Sequence, residues 1–311
     1  MFKSLKKVFS IFLIFNLTFV SSAQAAASFV DSFDVSGQDA TPRGLTFNND
    51  GTKMFVVGND GDDINEYTLT TGFDVSSATF VDSLDVSDQD TGPVDIVFNN
   101  DGTKMFVSGN AGDDINEYTL TTGFDVSSAT FVDSLDVSDQ DTGPVGIAFN
   151  NDGTKMFVVG NTGDDINEYT LTTGFDVSSA TFVDSFDVSG QDTAPKGIAF
   201  NNDGTKMFVS GNAGDDINEY TLSTGFDVSS ATFVDSLDVS DQDTGPVGIA
   251  FNNDGTKMFV VGNDGDDINE YTLSCPFKVT ATSTCDAPPK IKDVRGIVDA
   301  QINTAKNFAK D

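Results

Sequence analysis

Phe47, Phe98, Phe149, Phe200 and Phe251 recur every 51 residues, and each is followed by Asn-Asn-Asp-Gly-Thr-Lys-Met-Phe-Val. A repeat of that period is a supersecondary unit that cannot bury its apolar face alone, so copies must stack or close into a ring. In the third copy, 145–150 (VGIAFN) is a short apolar run and Asn151-Asp152-Gly153-Thr154 a tight turn. A second apolar run follows at 155–159 (KMFVV), then a loop at 160–164, a third run at 166–171 (INEYTL), a turn at 172–179 and a fourth run at 181–188 (TFVDSFDV). Short strands parted by Gly, Asn and Asp turns predict four antiparallel strands per unit.

Polarity grades along the unit. The first two strands are apolar on both faces, as in a sheet covered on both sides. The third and fourth admit Asn167, Glu168, Asp184 and Asp187. This predicts a propeller blade with its first strand on the axis and its fourth at the rim. A β-solenoid is the rival, but its coils are shorter and lack the gradient. The ends supply a count. Residues 29–35 (FVDSFDV) match strand four, while the last copy stops after its third strand near Leu273. The total is five blades of four, with the N-terminal strand completing the last blade and removing the open edges. The fold class is therefore all-β: a five-bladed β-propeller of four-stranded antiparallel blades over residues 26–285.

The segment from Pro144 to Gly160 (PVGIAFNNDGTKMFVVG) resembles the repeat of the YVTN and NHL classes of bacterial β-propeller. The resemblance implies the fold over residues 28 to 280. It is poor in functional implication, because such propellers serve as binding scaffolds, as surface proteins and in some cases as enzymes.

The two ends differ from the repeats. Lys3, Lys6 and Lys7 precede an apolar stretch from Val8 to Val20, and Ala23-Gln24-Ala25 offers a small-x-small cleavage site. Residues 1–25 thus read as an export signal, which predicts a secreted, periplasmic or cell-surface protein. No later stretch is apolar enough to span a bilayer, so an integral membrane protein is not expected. Asp286-Ala-Pro-Pro-Lys reads as a linker, and Asp293–Lys310 has helical periodicity through Val294, Ile297, Val298, Ile302, Ala305 and Phe308. Residues 286–311 are read either as a helix docked on the propeller or as a connector to a separate surface anchor. Cys275 and Cys285 are the only cysteines, and in an exported chain they predict a disulfide.

The chain carries 49 acidic and 16 basic residues, a net charge of −33. Such a charge disfavours nucleic acid and anionic membranes as partners. Alternating strands place the loop between blades and the loop between strands two and three on one face. Those loops are the acidic ones, among them Asp88, Asp90, Asp139, Asp141, Asp164, Asp165, Asp241 and Asp243. Two readings stay open for them: a calcium-type site, since hard cations take carboxylate, amide and carbonyl oxygens, or aspartates that cap their own turns. Gly58-Asn-Asp-Gly-Asp-Asp-Ile resembles an RTX calcium nonapeptide, yet it does not recur in tandem.

Three charges break the repeat near the start of the axial strand. Arg43, Asp95 and Lys196 stand where other copies have Val or Gly, and they mark a candidate axial binding site. The chain has no histidine, which excludes Ser/His and Cys/His nucleophilic pairs, and near-identical repeats deny two carboxylates the different environments that acid-base work needs. The expectation is therefore a non-catalytic exported binding, adhesion or scaffold module, without a cofactor other than calcium. It would meet a glycan or protein at a surface with avidity from five equal blades. The alternative is a lactonase or glycan hydrolase with an axial site. Tryptophan is absent and the five tyrosines sit on strand three, so sugar-stacking aromatics are not evident.

Overall fold

The computed structural model describes residues 26–280 and 285; the proposed leader and the C-terminal helix lie outside the described residues. Among the described residues, twenty strands form five four-stranded antiparallel sheets arranged in a ring, as expected. The third blade runs Pro144–Phe149, Lys155–Gly160, Asp165–Leu171 and Ala180–Asp187 from axis to rim. Each strand agrees with its sequence assignment to within a residue or so. The turn at 172–179 ends in a short 3-10 turn at Val177–Ser179. No helix among the described residues is long and apolar enough to cross a membrane.

The ring closes as the strand count predicts. Ala27–Asp34 pairs antiparallel with Asp267–Leu273, so the N-terminal strand is the outer strand of the last blade. Its partner blade is otherwise built from the C-terminal end of the propeller, so neither end is left as an isolated edge.

Neighbouring blades are joined by the same three-phenylalanine cluster. Phe149 from an axial strand, Phe106 from the preceding blade and Phe175 from the loop after the third strand lie with ring centroids 4.6 to 6.3 Å apart. Phe175 adopts a left-handed backbone, φ 57°, as do its counterparts Phe73, Phe124, Phe226 and Phe277. That conformation is costly for a bulky residue. It is held in part because Gly153 makes room: a Cβ there would lie 2.3 Å from the Phe175 ring.

A buried ion pair holds the same loop from behind. Lys104 and Glu117 lie diagonally across the second and third strands of their blade, on one face. Lys104 Nζ donates to Glu117 Oε1 at 2.7 Å and to the Phe175 carbonyl of the next blade at 2.5 Å. Glu117 Oε2 accepts from the Val177 backbone N–H at 3.0 Å. The pattern repeats in every blade and closes on itself, Glu270 Oε2 accepting from Val75 N–H and Lys257 donating to Phe73. At the fourth-to-fifth interface the clamped loop is the chain's own exit, with Phe277 and Val279 as the partners of Lys206 and Glu219.

The disulfide between Cys275 and Cys285 is formed and brackets that exit loop. Its small enclosed loop corresponds to about 2–3 kcal/mol in the chain-entropy account. The closure makes a direct prediction. Deleting residues 26–35 should leave Asp267–Leu273 as an exposed edge, and the protein should aggregate or melt far below the parent in a thermal scan. An unchanged melting temperature would contradict this mode of closure.

Candidate functional site

Two regions carry unusual polar chemistry: the acidic loops on one face, and the axis itself. In the loops, the eight aspartates singled out from sequence fall into three kinds. Asp90, Asp141 and Asp243 are buried. Asp141 Oδ1 accepts from the Gly143 N–H at 2.7 Å and the Thr162 N–H at 3.3 Å, while Oδ2 accepts from Gly163 N–H at 2.6 Å. Asp90 does the same with Gly92, Ala111 and Gly112, and Asp243 with Gly245 and Gly265. Each carboxylate thus ties the loop between blades to the loop between strands two and three, confirming that the two share a face. Gly160 ends the second strand because the carboxylate occupies its side-chain space: a Cβ there would lie 2.5 Å from Asp141 Oδ2.

Asp165 is the second kind. It accepts from Asn167 Nδ2 at 2.7 Å, and burial, with Asp141 close by, raises its carboxyl above the ordinary range. Its counterpart Asp114 is pushed up to about 6, first by burial and then by Asp90. Asp164 begins the same stretch with a left-handed backbone, φ 53°. Asp88, Asp139 and Asp241 are the third kind and are exposed. The Gln140 amide oxygen is also engaged, accepting from the Tyr169 hydroxyl at 3.1 Å. Among the described residues no three acidic, histidine or cysteine side chains gather as a metal ion would require. The buried carboxylates act here as acceptors for backbone N–H groups, and the calcium reading gains no support from this geometry.

The axis has two mouths. At the one opposite the acidic loops, five asparagines form a closed ring. Asn49 donates to the Asn100 carbonyl, and so on through Asn151, Asn202 and Asn253, which returns to Asn49. Above them lies a cavity of about 240 Å³, lined by Leu45, Ile147, Ile198 and Ile249 and reaching Asp95. Asp95 is buried, with Oδ1 accepting from Ile96 N–H and Oδ2 from Ile147 N–H of the next blade, both at 2.9 Å. Burial pushes its carboxyl up to about 7 against these two lowering bonds. At the other mouth, Arg43 and Lys196 line one cavity of about 110 Å³. Of the three residues grouped from sequence as one axial site, the structure brings together Arg43 and Lys196 and places Asp95 in the other cavity.

No protein-family model matches the chain, and no curated protein matches it either. Solved structures do resemble it. A Bacteroides uniformis protein assigned provisionally as a 6-phosphogluconolactonase is 13% identical, with a TM-score of 0.48 over 76% of this chain and 69% of that one. A luciferin-regenerating enzyme is 12% identical, with a TM-score of 0.48 over 82% and 97%. A Desulfotomaculum acetoxidans protein of unknown function is 14% identical, with a TM-score of 0.44 over 71% of this chain; the chain spans 62% of its length. Two of these neighbours carry enzyme names, so the expectation that the chain catalyses nothing is corrected. At these identities the likeness is one of fold, and no activity is carried across with it.

The geometry predicts two mutational contrasts. Asp141→Ala would strand three N–H groups and should cost on the order of 3 kcal/mol of stability. Asp139→Ala, at an exposed position, should cost almost nothing. Denaturant titrations read both, and the gap should persist whether calcium or NaCl of matched ionic strength is present; loss of the gap on chelation would restore a metal role. The second contrast concerns pH. The folded carboxyl of Asp95 titrates near 7, above the unfolded value of about 3.9. Its contribution is therefore fully present below about pH 4 and is lost as pH rises through about 7. Asp95→Gly, the residue of the other four blades, should flatten that fall, giving a variant whose advantage over the parent grows between pH 5 and 8. An advantage that stays constant over this window would show that Asp95 does not carry the charge change.

Proposed function

We propose that the chain is an exported binding or surface module that engages a repetitive glycan or protein target through its five equal blades. The observation that carries this reading is the girdle. Each outer strand presents a phenylalanine and a valine to solvent: Phe29 and Val30, Phe80 and Val81, Phe131 and Val132, Phe182 and Val183, Phe233 and Val234, all between 39 and 50% exposed. The valine sits at a register shift against the third strand, a bulge that discourages indiscriminate edge pairing. The phenylalanine stands edge-on to the tyrosine beneath it, as Phe182 does to Tyr169 at 5.8 Å. An apolar pair followed by an aspartate and repeated around a ring suits weak individual contacts that add by avidity. Export is supported by the leader-like first 25 residues and by the disulfide. The YVTN/NHL-like character of the repeat is consistent with a surface scaffold.

A second reading rests on Asp95. A buried carboxyl shifted to about 7 at the inner end of a cavity is a feature that acid-base sites share. In that reading the axis performs hydrolysis of a lactone or glycoside, and activity disappears in Asp95→Gly.

Binding to immobilised bacterial or host surface glycans and proteins separates the two. With Phe→Ser introduced into one, three and five outer strands, retention on an immobilised target should fall progressively, by far more than the affinity for the same ligand free in solution. Complete loss from a single altered blade would sink the multivalent reading.

A further inference from the structure

The second residue of each axial strand faces the mouth framed by the acidic loops. Three blades place valine there, and blades one and four place Arg43 and Lys196. The two bases line one cavity of about 110 Å³ together with Asn59, Asn110 and Asn161. That space exceeds the share of a single water, about 30 Å³, and matches a small polyatomic ion better than a sugar ring.

The other lysines of the blades, Lys53, Lys104, Lys155, Lys206 and Lys257, are each bonded to a buried glutamate. The two axial bases have no such partner. Lys196 Nζ donates to the neutral Asn161 Oδ1 at 2.9 Å. Its ammonium is held below the usual lysine range by burial and then by the like charge of Arg43, with Asp192 opposing. The Asp192 carboxylate is already occupied by the N–H groups of Ala194, Ala213 and Gly214. Among the described residues the Arg43 side chain makes no hydrogen bond or ion pair. Symmetry sharpens the point. Asn263 is to Arg43 what Asn161 is to Lys196, and its Oδ1 is buried without a partner, as is Oγ1 of Thr41. Two mutually repelling cations therefore share one small mouth. An oxyanion placed there would relieve the repulsion and accept from both bases.

We propose that this axial mouth binds one small oxyanionic group, a carboxylate, sulfate or phosphate, between the Arg43 guanidinium and the Lys196 ammonium. The planar fork of Arg43 supplies a bidentate grip, and Lys196 supplies a point charge. The buried carboxylates of the framing loops, Asp192 among them, oppose the anion, but they are already engaged by backbone N–H groups. The site is single, because only blades one and four carry the bases. It is independent of the girdle.

The test uses the intact folded protein and the variant Arg43→Val/Lys196→Val, which restores the residue of the other blades. Calorimetric titration with sodium phosphate, sodium sulfate and sodium acetate, each against NaCl of matched ionic strength, should show one saturable site per molecule in the parent. In the double variant that site should weaken by about tenfold or more, the loss of two charge-assisted contacts. A preference for phosphate over acetate, or the reverse, supports the site and identifies the group it takes. Melting temperatures provide the second measurement. Sulfate and phosphate stabilise proteins generally by exclusion, so only the rise seen in the parent beyond that of the variant counts. Equal behaviour of the two proteins, or no saturable binding by any of the three anions, overturns the proposal. Phe→Ser changes on the outer strands should leave anion binding unaltered, so the axial and girdle readings fail separately.

Discussion

The ring depends on a lysine and a glutamate that meet inside each blade and hold the next one. Glu117 is almost wholly buried, and a buried carboxylate is tolerable only when its oxygens are satisfied. One oxygen takes the Lys104 ammonium and the other a backbone N–H of the following blade. The ammonium in turn holds a carbonyl of that same loop. Removing either side chain would leave its partner uncompensated, a loss on the order of 3–5 kcal/mol for a buried pair. The charges thus do more than balance each other: they fix the approach of one sheet to the next, which apolar contacts alone leave free to slide.

That clamp also accounts for the unfavourable backbone of Phe175 and its counterparts. A left-handed phenylalanine persists only where its surroundings over-determine it. Here the ring is wedged among two other phenylalanines, and the carbonyl is held by the lysine of the preceding blade. On the opposite side of the blade, buried aspartates such as Asp141 play the corresponding role by gathering backbone N–H groups from two loops. Acidic residues therefore act as internal fasteners at both ends of the sheets, and the surplus charge of the chain resides in those that remain exposed.

Much of this fold was legible in the residues. The period, the turn chemistry and the orphan strand at 29–35 together specify five closed blades, because each is a local signal repeated in sequence. The clamp was not legible. Lys155 stands three residues from Asp152 in the chain, whereas its partner is Glu168 across a strand register. The available hint was a single glutamate in the middle of the third strand, matched in every copy by a single lysine on the strand before it. The acidic loops stayed open between two readings for a related reason. Composition reveals oxygens that a cation could use, but not that Asp141 has already committed them to N–H groups brought in from another loop. Arg43 and Lys196 were found because they break the repeat. That Asp95 lies in a different cavity depends on strand depth along the axis, which sequence position alone does not give.

Closure by the first strand has a consequence for how the molecule assembles in time. Blades form from neighbouring segments, yet the last seam joins residues far apart: Asn253 meets Asn49 across 204 positions, and Glu270 meets Val75 across 195. Closing so long a loop carries an entropic cost that is recovered only when the whole seam forms at once. Until then the chain is an open spiral with an incomplete sheet at one end and a free strand at the other. Because a second molecule carries the same first strand, that strand fits the incomplete sheet as well as the chain's own does. Dilution therefore favours the closed monomer, and crowding during synthesis favours strand exchange between chains. Closure by a strand from the far end of the chain makes assembly sensitive to concentration.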